Sequence, residues 1–491
     1  MSALGVFVVL YMVISIAIGL YASLRVRTST DYVLAGRSLP IYVTIATVFA
    51  TWFGSEAVLG MPATFMEEGL GGIVADPFGA GLCLVFVGLF FAARLYRMKL
   101  LTIGDFYRQR YGKTVEILVS LAICVSYLGW VSAQIVALGL TISLISGEAI
   151  SFEVGMLIGL SIVLLYTIFG GMWSVAIMDF LQMMMILMGL LIVAWLIAGR
   201  VDGGFMGVVH DAAANNKFDF WPDLNPAAIL AFIGAFVTLA LGSIPQQDVF
   251  QRVMSAKDEK TAVRGTVIGG TFYIFFCFVP IFIAYGATLI DPNLVTTHMG
   301  EGGDPQRILP EFILNGVPMP IQVMFFGALL SAIMSTASGT LLAPSAILAE
   351  NIFKEILVSK LDDKHLLTVL RICVFCFGLV VLAYAYLSTS AGLSIFEMVE
   401  NAYLVTLCGA FVPLAFGVYW KKATNAGALL SIACGVITWS VLEYLNVRMA
   451  AQDESMLVPP QLAGLFMAIF GMIAGSLLPQ INPPKAEKQP S

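Results

Sequence analysis

Residues 322–348, QVMFFGALLSAIMSTASGTLLAPSAIL, set the structural class of the whole sequence. The segment is apolar and longer than the roughly 20 residues that a helix needs to cross a bilayer. Its centre nevertheless carries a group of hydroxyl side chains, namely Ser331, Ser335, Thr336, Ser338 and Thr340. Residues three or four apart share one face of a helix, so Ser331, Ser335 and Ser338 are aligned. Such a row predicts either close packing between helices or oxygen ligands for a small hard cation.

The composition extends this membrane character to the rest of the chain. Of 491 residues, 59% are apolar and 11% are charged, whereas soluble domains carry about 25% charged residues. The composition therefore predicts an all-α polytopic membrane protein, because lipid cannot satisfy free backbone groups. The net charge of −6 without a basic patch argues against a nucleic-acid partner. The seven cysteines are an odd number scattered through hydrophobic segments, which predicts neither a disulfide framework nor a metal site.

Apolar segments of about 20 residues predict thirteen transmembrane helices. Their approximate limits are 3–23, 41–63, 75–96, 115–145, 152–169, 175–198, 227–247, 265–290, 320–345, 368–387, 396–419, 425–446 and 460–479. The Lys and Arg residues lie in or beside the loops after odd-numbered spans, or in the tail, except for Arg200, Lys217, Arg307 and Arg448. Because cytoplasmic loops are rich in Lys and Arg, we expect the N-terminus outside and the C-terminus in the cytoplasm. The expected location is the plasma membrane, as in a bacterial inner membrane.

Two predicted spans contain residues that interrupt a helix. They are Gly54, Gly60 and Pro62 in the second span and Gly242 and Pro245 in the seventh. Glycine permits unusual backbone angles, and proline removes a hydrogen bond. Interrupted spans at matching places in two halves of a chain point to a transporter site. The alternative is that Gly and Pro are simply common in membrane helices.

Several segments resemble the sodium/solute symporter family. They are FATWFGSEAVLG (49–60), SAIMSTASGTLLAPSAILAENIF (331–353), GGMWSVAIMDFLQ (170–182) and KKATNAGALLSIACGV (421–436). The resemblance covers nearly the whole chain and implies a LeuT-type fold, in which two inverted repeats of five helices form the core. It also implies one extra helix before the core and two after it.

The resemblance divides the chain into units with distinct roles. Residues 1–40 would form the N-terminal extra helix and an inner loop, and residues 41–198 the first inverted repeat. An outer loop at 199–226 would precede the second repeat at 227–420. Residues 421–480 would form the two extra helices, followed by a disordered cytoplasmic tail at 481–491.

The resemblance also implies a sodium site. In the family, this site uses two carbonyls of the broken span and one carbonyl plus two hydroxyls of the ninth span. On this chain the corresponding ligands are Ala50, Phe53, Ala332, Ser335 and Thr336. Some members hold a second sodium ion, for which this chain offers Asp179 and Ser338. Glycine stands at position 339, where those members have a hydroxyl, so the number of coupled sodium ions stays open.

Within the family, the motifs are closest to the choline-transporter branch. They are ATW-G (50–54), GWVSAQIVALG (129–139) and LGSIPQQDVFQRVMSA (241–256). This likeness implies a substrate site built from Trp52, Glu56, Trp130, Gln246 and Phe396. A ring face attracts a cation, so the two tryptophans suit a quaternary ammonium group. Gln246 replaces a tryptophan of that branch, however, and Phe396 is a weaker partner for a cation than tryptophan.

Acidic residues refine the expected substrate. Glu56, Asp76, Glu397 and Glu400 favour a solute with positive charge, although each could instead be a helix cap or a membrane-edge acid. A zwitterion, an amino acid or another polar solute also stays open. We therefore expect a sodium-coupled secondary active symporter that imports a small organic solute by alternating access.

Other function classes find less support in the sequence. An ion channel usually needs a carbonyl filter or a charged ring, and no such motif occurs. A sensor with a transporter fold would be expected to carry a signalling domain beyond the last span. An enzyme is not expected, because the histidines at 210, 298 and 365 lie in loops without metal-ligand spacing.

Overall fold

The computed structural model describes residues 3–300, 303–354, 363–450 and 457–478. These residues are helical throughout, apart from connections and one isolated parallel bridge between Leu39 and Ala256. The predicted disordered tail at 481–491 lies outside them. The membrane helices are α1 (Ala3–Ser23), α2 (Ile41–Trp52), α3 (Glu56–Gly71), α4 (Val74–Arg97), α5 (Lys113–Ile145), α6 (Phe152–Ala198), α7 (Pro226–Gly242), α8 (Gln247–Ser255), α9 (Glu259–Ile290), α10 (Met319–Phe353), α11 (Asp363–Ser390), α12 (Ile395–Tyr419), α13 (Asn425–Met449) and α14 (Pro460–Leu477).

The number of spans differs from the expected thirteen. Within the described ranges, 10 helices are long and apolar enough to cross a membrane, and two bent helix pairs raise the number to 12. The difference arises at α6, which covers the fifth and sixth predicted spans in one element of 47 residues. Its helix is interrupted at Gly171, where φ is 49° and ψ is −142°. A side chain at Gly171 would run into Tyr32, so the left-handed backbone and the close approach both require glycine.

The two bent pairs lie where the sequence contains Gly and Pro. Helices α2 and α3 meet at 61°, and α7 and α8 meet at 46°. Phe53 ends α2 with non-helical angles (φ −81°, ψ 74°). Gln246 precedes α8 in an extended conformation (φ −69°, ψ 139°). The second and seventh predicted spans are therefore broken helices.

The two broken spans are tied together at one end. The Leu39 amide donates to the Ser255 carbonyl, and the Lys257 amide donates to the Leu39 carbonyl, each at 3.0 Å. Leu39 lies two residues before the start of α2, and Ser255 is the last residue of α8. The start of one broken span is thereby fixed to the end of the other.

The core lies around α5 and α10, which are the most buried of the membrane helices. Helix α10 packs along α6 and also contacts α1 and α2. Helices α13 and α14 pack mainly against each other at the periphery. The described residues of the loops at 199–226 and 291–319 contain only the short helices Gly204–Ala214, Asn293–His298 and Ile308–Gly316 and a single 3₁₀ turn. This described part of the two long connections therefore forms no separate domain.

Candidate functional site

The break after α2 changes the hydrogen bonding of the backbone. The Gly54 amide donates to the Trp52 carbonyl at 2.9 Å, so it does not continue the helical pattern to Ala50. The Thr336 hydroxyl of α10 donates to the Ala50 carbonyl instead, at 3.1 Å. The break therefore frees a buried carbonyl oxygen, and α10 supplies a hydroxyl group beside it.

Gly54 lies at the meeting point of three oxygen atoms. A Cβ atom at this position would be 2.7 Å from Gln134 Oε1, 2.8 Å from Thr336 Oγ1 and 2.9 Å from Glu56 Oε2. A larger residue at position 54 would therefore have to displace these three side-chain ends. The predicted sodium ligand Thr336 and the predicted substrate residue Glu56 therefore both lie close to Gly54.

The hydroxyl groups of α10 point to different neighbours. Ser331 contacts the Tyr11 hydroxyl at 2.6 Å. Ser335 donates to Asp179 Oδ1 at 2.5 Å, and Ser338 donates back to the Ser335 carbonyl at 2.9 Å. Of the predicted ligands, Ser335 and Thr336 therefore reach other helices, whereas Ser338 donates to a carbonyl of its own helix. Ala332 and Phe53 are also buried in this region.

Arg252 of α8 is a buried residue that sequence reasoning did not single out. Its side chain is 1% exposed, and its Nε atom donates to the Thr47 carbonyl of α2 at 2.7 Å. Its Nη2 atom is 3.7 Å from Asp179 Oδ2, and its Nη1 atom is 3.7 Å from Asp248 Oδ2. The available signal was the charged pair four residues apart, Asp248 and Arg252, just beyond the break of the seventh span.

A cluster of aromatic rings lies next to the broken helix. Trp52 and Trp130 stack with ring centroids 4.7 Å apart and an interplanar angle of 20°. The Tyr403 ring lies 5.5 Å from each of them, and Tyr127 stacks on Trp130 at 5.8 Å. All four rings are buried. The structure thus brings together the two predicted tryptophans and adds two tyrosines that the sequence analysis missed.

The predicted aromatic residue of α12 occupies a different place. Phe396 lies against Gly60, where an added Cβ would be 3.3 Å from the Phe396 backbone and side chain. The aromatic ring that α12 contributes to the cluster is Tyr403, seven residues later. Two turns of helix separate these residues. Which of them joins the aromatic cluster therefore depends on how α12 packs.

Polar groups surround the aromatic cluster, and some are left without a partner. Gln134 accepts from the Ser55 amide at 2.9 Å and donates to Glu56 Oε2 at 2.7 Å. Gln246 donates to the Ser126 hydroxyl at 2.9 Å. Buried atoms that make no hydrogen bond to the described residues include Glu56 Oε1, Gln246 Oε1, Trp52 Nε1 and the Tyr403 hydroxyl. Since buried polar groups are normally paired, their concentration here favours a site for a polar ligand.

Two other acids have local structural partners. The Tyr273 hydroxyl donates to Asp76 Oδ1 at 2.6 Å. Glu397 accepts from the Ser394 amide at 2.8 Å in a capping box at the start of a helix. These contacts suffice to explain Asp76 and Glu397 without a ligand.

Comparisons with known proteins agree on the class of this chain. The sequence model of the sodium:solute symporter family matches residues 32–435. The high affinity choline transporter 1 of Homo sapiens is 28% identical over 451 residues, which cover 87% of this chain and 75% of that protein. The sodium/pantothenate symporter of Escherichia coli (strain K12) is 26% identical over 498 residues, covering 96% of both proteins.

Solved structures share the fold. A sodium-coupled sialic acid symporter in a substrate-bound, outward-open state superposes with a TM-score of 0.80 at 19% identity, covering 96% of this chain and 97% of that one. A nucleobase-cation-symport-1 family transporter in a closed conformation gives 0.54 at 15% identity, covering 90% and 93%. The helices thus have the LeuT-type arrangement expected from the sequence. This multi-pass membrane protein belongs to the sodium:solute symporter family and is a sodium-coupled symporter, not an enzyme.

Proposed function

We propose that this symporter imports a small organic cation or zwitterion together with sodium. The observation that carries the proposal is the stack of Trp52 on Trp130, with Tyr403 at its edge and the carboxylate of Glu56 nearby. Ring faces attract cations by roughly 0.5–2 kcal/mol per contact, and the free Glu56 Oε1 atom can accept from an ammonium group. The choline transporters among the relatives support this solute class.

A second solute class keeps some support. The sodium/pantothenate symporter matches this chain over a larger share of both proteins than the choline transporters do. Gln246 with its free Oε1 atom and the Tyr403 hydroxyl would suit a solute that carries hydroxyl or amide groups. A neutral polar solute is therefore the alternative.

The proposed solute site adjoins the broken helix. Trp52 and Trp130 are in contact at 4.7 Å, which leaves no room for a cation between parallel rings. A solute that binds to both faces must therefore separate them, and Trp52 would transmit that movement to the end of α2. The proposed solute ligands are Trp52, Glu56, Trp130, Gln246 and Tyr403, with Phe396 lining the side next to Gly60.

The proposed sodium site lies about one helical turn from the proposed solute site. The carbonyls of Ala50 and Phe53 would bind the ion from α2, and α10 would contribute the Ala332 carbonyl with the hydroxyls of Ser335 and Thr336. The donor set fits sodium, because it consists of neutral oxygen atoms and includes a carbonyl released from its helix. Thr336 already lies within 3.1 Å of the Ala50 carbonyl oxygen.

Sodium would couple to solute movement through these two helices. A bound ion holds α2 against α10 and closes the inner path, while the solute occupies the far side of the same break. Loss of sodium to the cytoplasm loosens this contact and releases the solute. Binding of one ligand thereby favours the conformation that binds the other.

The proposed architecture counts α6 as two spans that meet at Gly171, which gives thirteen. A continuous helix of this length would be roughly 70 Å long, about twice the bilayer core. The inverted repeats would cover 41–198 and 227–420, after an N-terminal unit at 1–40. The separate packing of α13 and α14 supports their role as extra helices in 421–480. The distribution of Lys and Arg supports an outer N-terminus and a cytoplasmic C-terminus in a bacterial inner membrane.

A ligand screen followed by transport tests this function. Thermal shifts of the purified protein would be measured with choline, betaines, amino acids, polyamines and sugars, in sodium and in potassium. We expect stabilisation by cationic or zwitterionic compounds, larger in sodium. Labelled compounds that stabilise the protein would then be followed into proteoliposomes. Equal uptake with sodium or potassium outside would contradict the proposed coupling, and stabilisation by sugars alone would contradict the solute class.

A further inference from the structure

Arg252 lies at the centre of a buried charged cluster between the two broken spans. Among the described residues, it is the only Lys or Arg whose side chain is completely buried. Its guanidinium lies 3.7 Å from a carboxylate oxygen of Asp179 on one side and of Asp248 on the other. The Thr47 carbonyl, one turn before Ala50, fixes its Nε atom. An arginine remains protonated in proteins, so a permanent positive charge faces Asp179.

The other side of this guanidinium is covered by Gly339. A Cβ atom at position 339 would collide with the Nη2, Cζ and Nη1 atoms of Arg252. A serine or threonine at 339 is therefore incompatible with the present position of Arg252. This is the position at which the sequence lacks the hydroxyl needed for a second sodium ion.

We propose that the Arg252 guanidinium takes the place of a second sodium ion, so that this symporter binds one sodium ion instead of two. The inference rests on the proposed sodium site at Ser335 and Thr336. Asp179, the acid available for a second ion, is paired with a cation that belongs to the protein. Gly339 provides the space that the guanidinium occupies.

The charge balance of the cluster favours this stoichiometry. Asp179 and Asp248 carry two negative charges when ionised, and Arg252 carries one positive charge. Asp248 also accepts a hydrogen bond from the Tyr127 hydroxyl, which further satisfies its charge. One sodium ion at Ser335, which donates to Asp179, completes the neutralisation. A second ion would leave an excess positive charge in a buried region, which is unfavourable.

The space around Asp179 leads to the same conclusion. Its Oδ1 atom accepts a hydrogen bond from Ser335, and its Oδ2 atom, which makes no hydrogen bond to the described residues, lies 3.7 Å from Arg252 Nη2. Ser338 donates to the Ser335 carbonyl and not toward Asp179. An ion bound at Asp179 Oδ2 would therefore lie beside the positive charge of the guanidinium, which is unfavourable.

Counting bound sodium ions tests this proposal without a known solute. The full chain in lipid nanodiscs would be equilibrated with radioactive sodium, and the number of ions per chain measured at saturation. We expect one ion for the native protein. Two ions per chain would overturn the role of Arg252 but leave the proposed symport intact. No saturable sodium binding would overturn the proposed sodium site, and this inference with it.

A double variant tests the same proposal by creating a second sodium site. Arg252→Gln with Gly339→Ser removes the guanidinium and supplies a hydroxyl, so we expect a second saturable ion. Arg252→Lys keeps the charge and should keep one ion, as should Arg264→Gln, which changes an exposed arginine of α9. A double variant that is folded by size-exclusion chromatography and still binds one ion would contradict the proposal. If that variant fails to fold, the count for the native protein still decides the question.

Discussion

The Thr336 hydroxyl of α10 donates a hydrogen bond of 3.1 Å to the Ala50 carbonyl of the broken helix α2. This contact joins two helices that are separated by 286 positions in the chain. It exists because the α2 helix ends at Trp52 and the amide of Gly54 turns away from Ala50. A carbonyl and a hydroxyl are thereby brought together in the interior, where sodium is proposed to bind.

Removing a hydroxyl of the proposed sodium site should affect sodium more than solute. For Ser335→Ala we expect the sodium concentration for half-maximal uptake to rise about 10- to 100-fold, because loss of a bond to a charged group costs roughly 1.5–3 kcal/mol. Uptake kinetics at varied sodium measure this change, and solute affinity at saturating sodium should stay close to native. Ser331→Ala serves as the matched control, since Ser331 contacts Tyr11. An unchanged sodium dependence for Ser335→Ala would rule out its role as a ligand.

The aromatic cluster should determine solute affinity. Trp130→Ala removes the ring that stacks on both Trp52 and Tyr127, and we expect solute affinity to fall by about 2- to 30-fold from the loss of cation–π contacts. Trp130→Phe should retain part of the affinity. Trp195→Ala is the control, because Trp195 is 79% exposed. Native uptake kinetics in Trp130→Ala would refute the proposed site.

Glu56 should distinguish charged from neutral solutes. Glu56→Gln keeps the size of the side chain and removes its charge. We expect about 10- to 100-fold weaker binding of cationic compounds, because hydrogen bonds to charged groups contribute roughly 1.5–3 kcal/mol. Binding of neutral compounds should change little. Thermal shifts with matched cationic and neutral ligands measure the difference, with Glu153→Gln as an exposed control. Equal losses for both ligand classes would mean that Glu56 acts only in folding.

A larger residue at Gly54 should disturb both proposed sites. In Gly54→Ala, the new methyl group meets oxygen atoms of Gln134, Thr336 and Glu56. Overpacking of this kind costs about 1–3 kcal/mol, and the displaced atoms belong to both proposed sites. We expect impaired sodium dependence and impaired solute affinity in the same variant, measured by uptake kinetics. Gly199→Ala, whose nearest contacts are 3.6 Å away, should transport normally. A Gly54→Ala protein with native kinetics would show that the break adapts freely.

The Arg252 cluster should make a large contribution to stability. Arg252→Met leaves Asp179 and Asp248 buried without their cation, and breaking such a pair from one side costs about 3–5 kcal/mol. We expect a clearly lower melting temperature, partly restored when Asp179→Asn is added. Thermal unfolding in nanodiscs measures both changes, with Arg264→Met as the surface control. Additive destabilisation by Arg252→Met and Asp179→Asn would be inconsistent with a paired arrangement.

Much of the architecture was predictable from local signals. The first predicted span, 3–23, coincides with Ala3–Ser23, and the glycines and prolines of the second and seventh spans mark the observed bends. These signals are local, because the length of an apolar segment and the backbone angles open to glycine depend only on residues that are neighbours in the sequence. The exception is α6, whose break at Gly171 does not fully separate two helices. A short interruption of that kind depends on the Tyr32 side chain that packs against it.

The amino-acid sequence by itself determined that the chain is a bundle of membrane helices with two interrupted spans and a hydroxyl-rich helix. Only the tertiary structure decided which side chains meet: Tyr403 joins Trp52 and Trp130 while Phe396 lies beside Gly60. It likewise placed Arg252 between Asp179 and Asp248. The physical reason is that composition and periodicity act along the chain, whereas contacts between distant helices depend on their rotation and depth in the packed bundle.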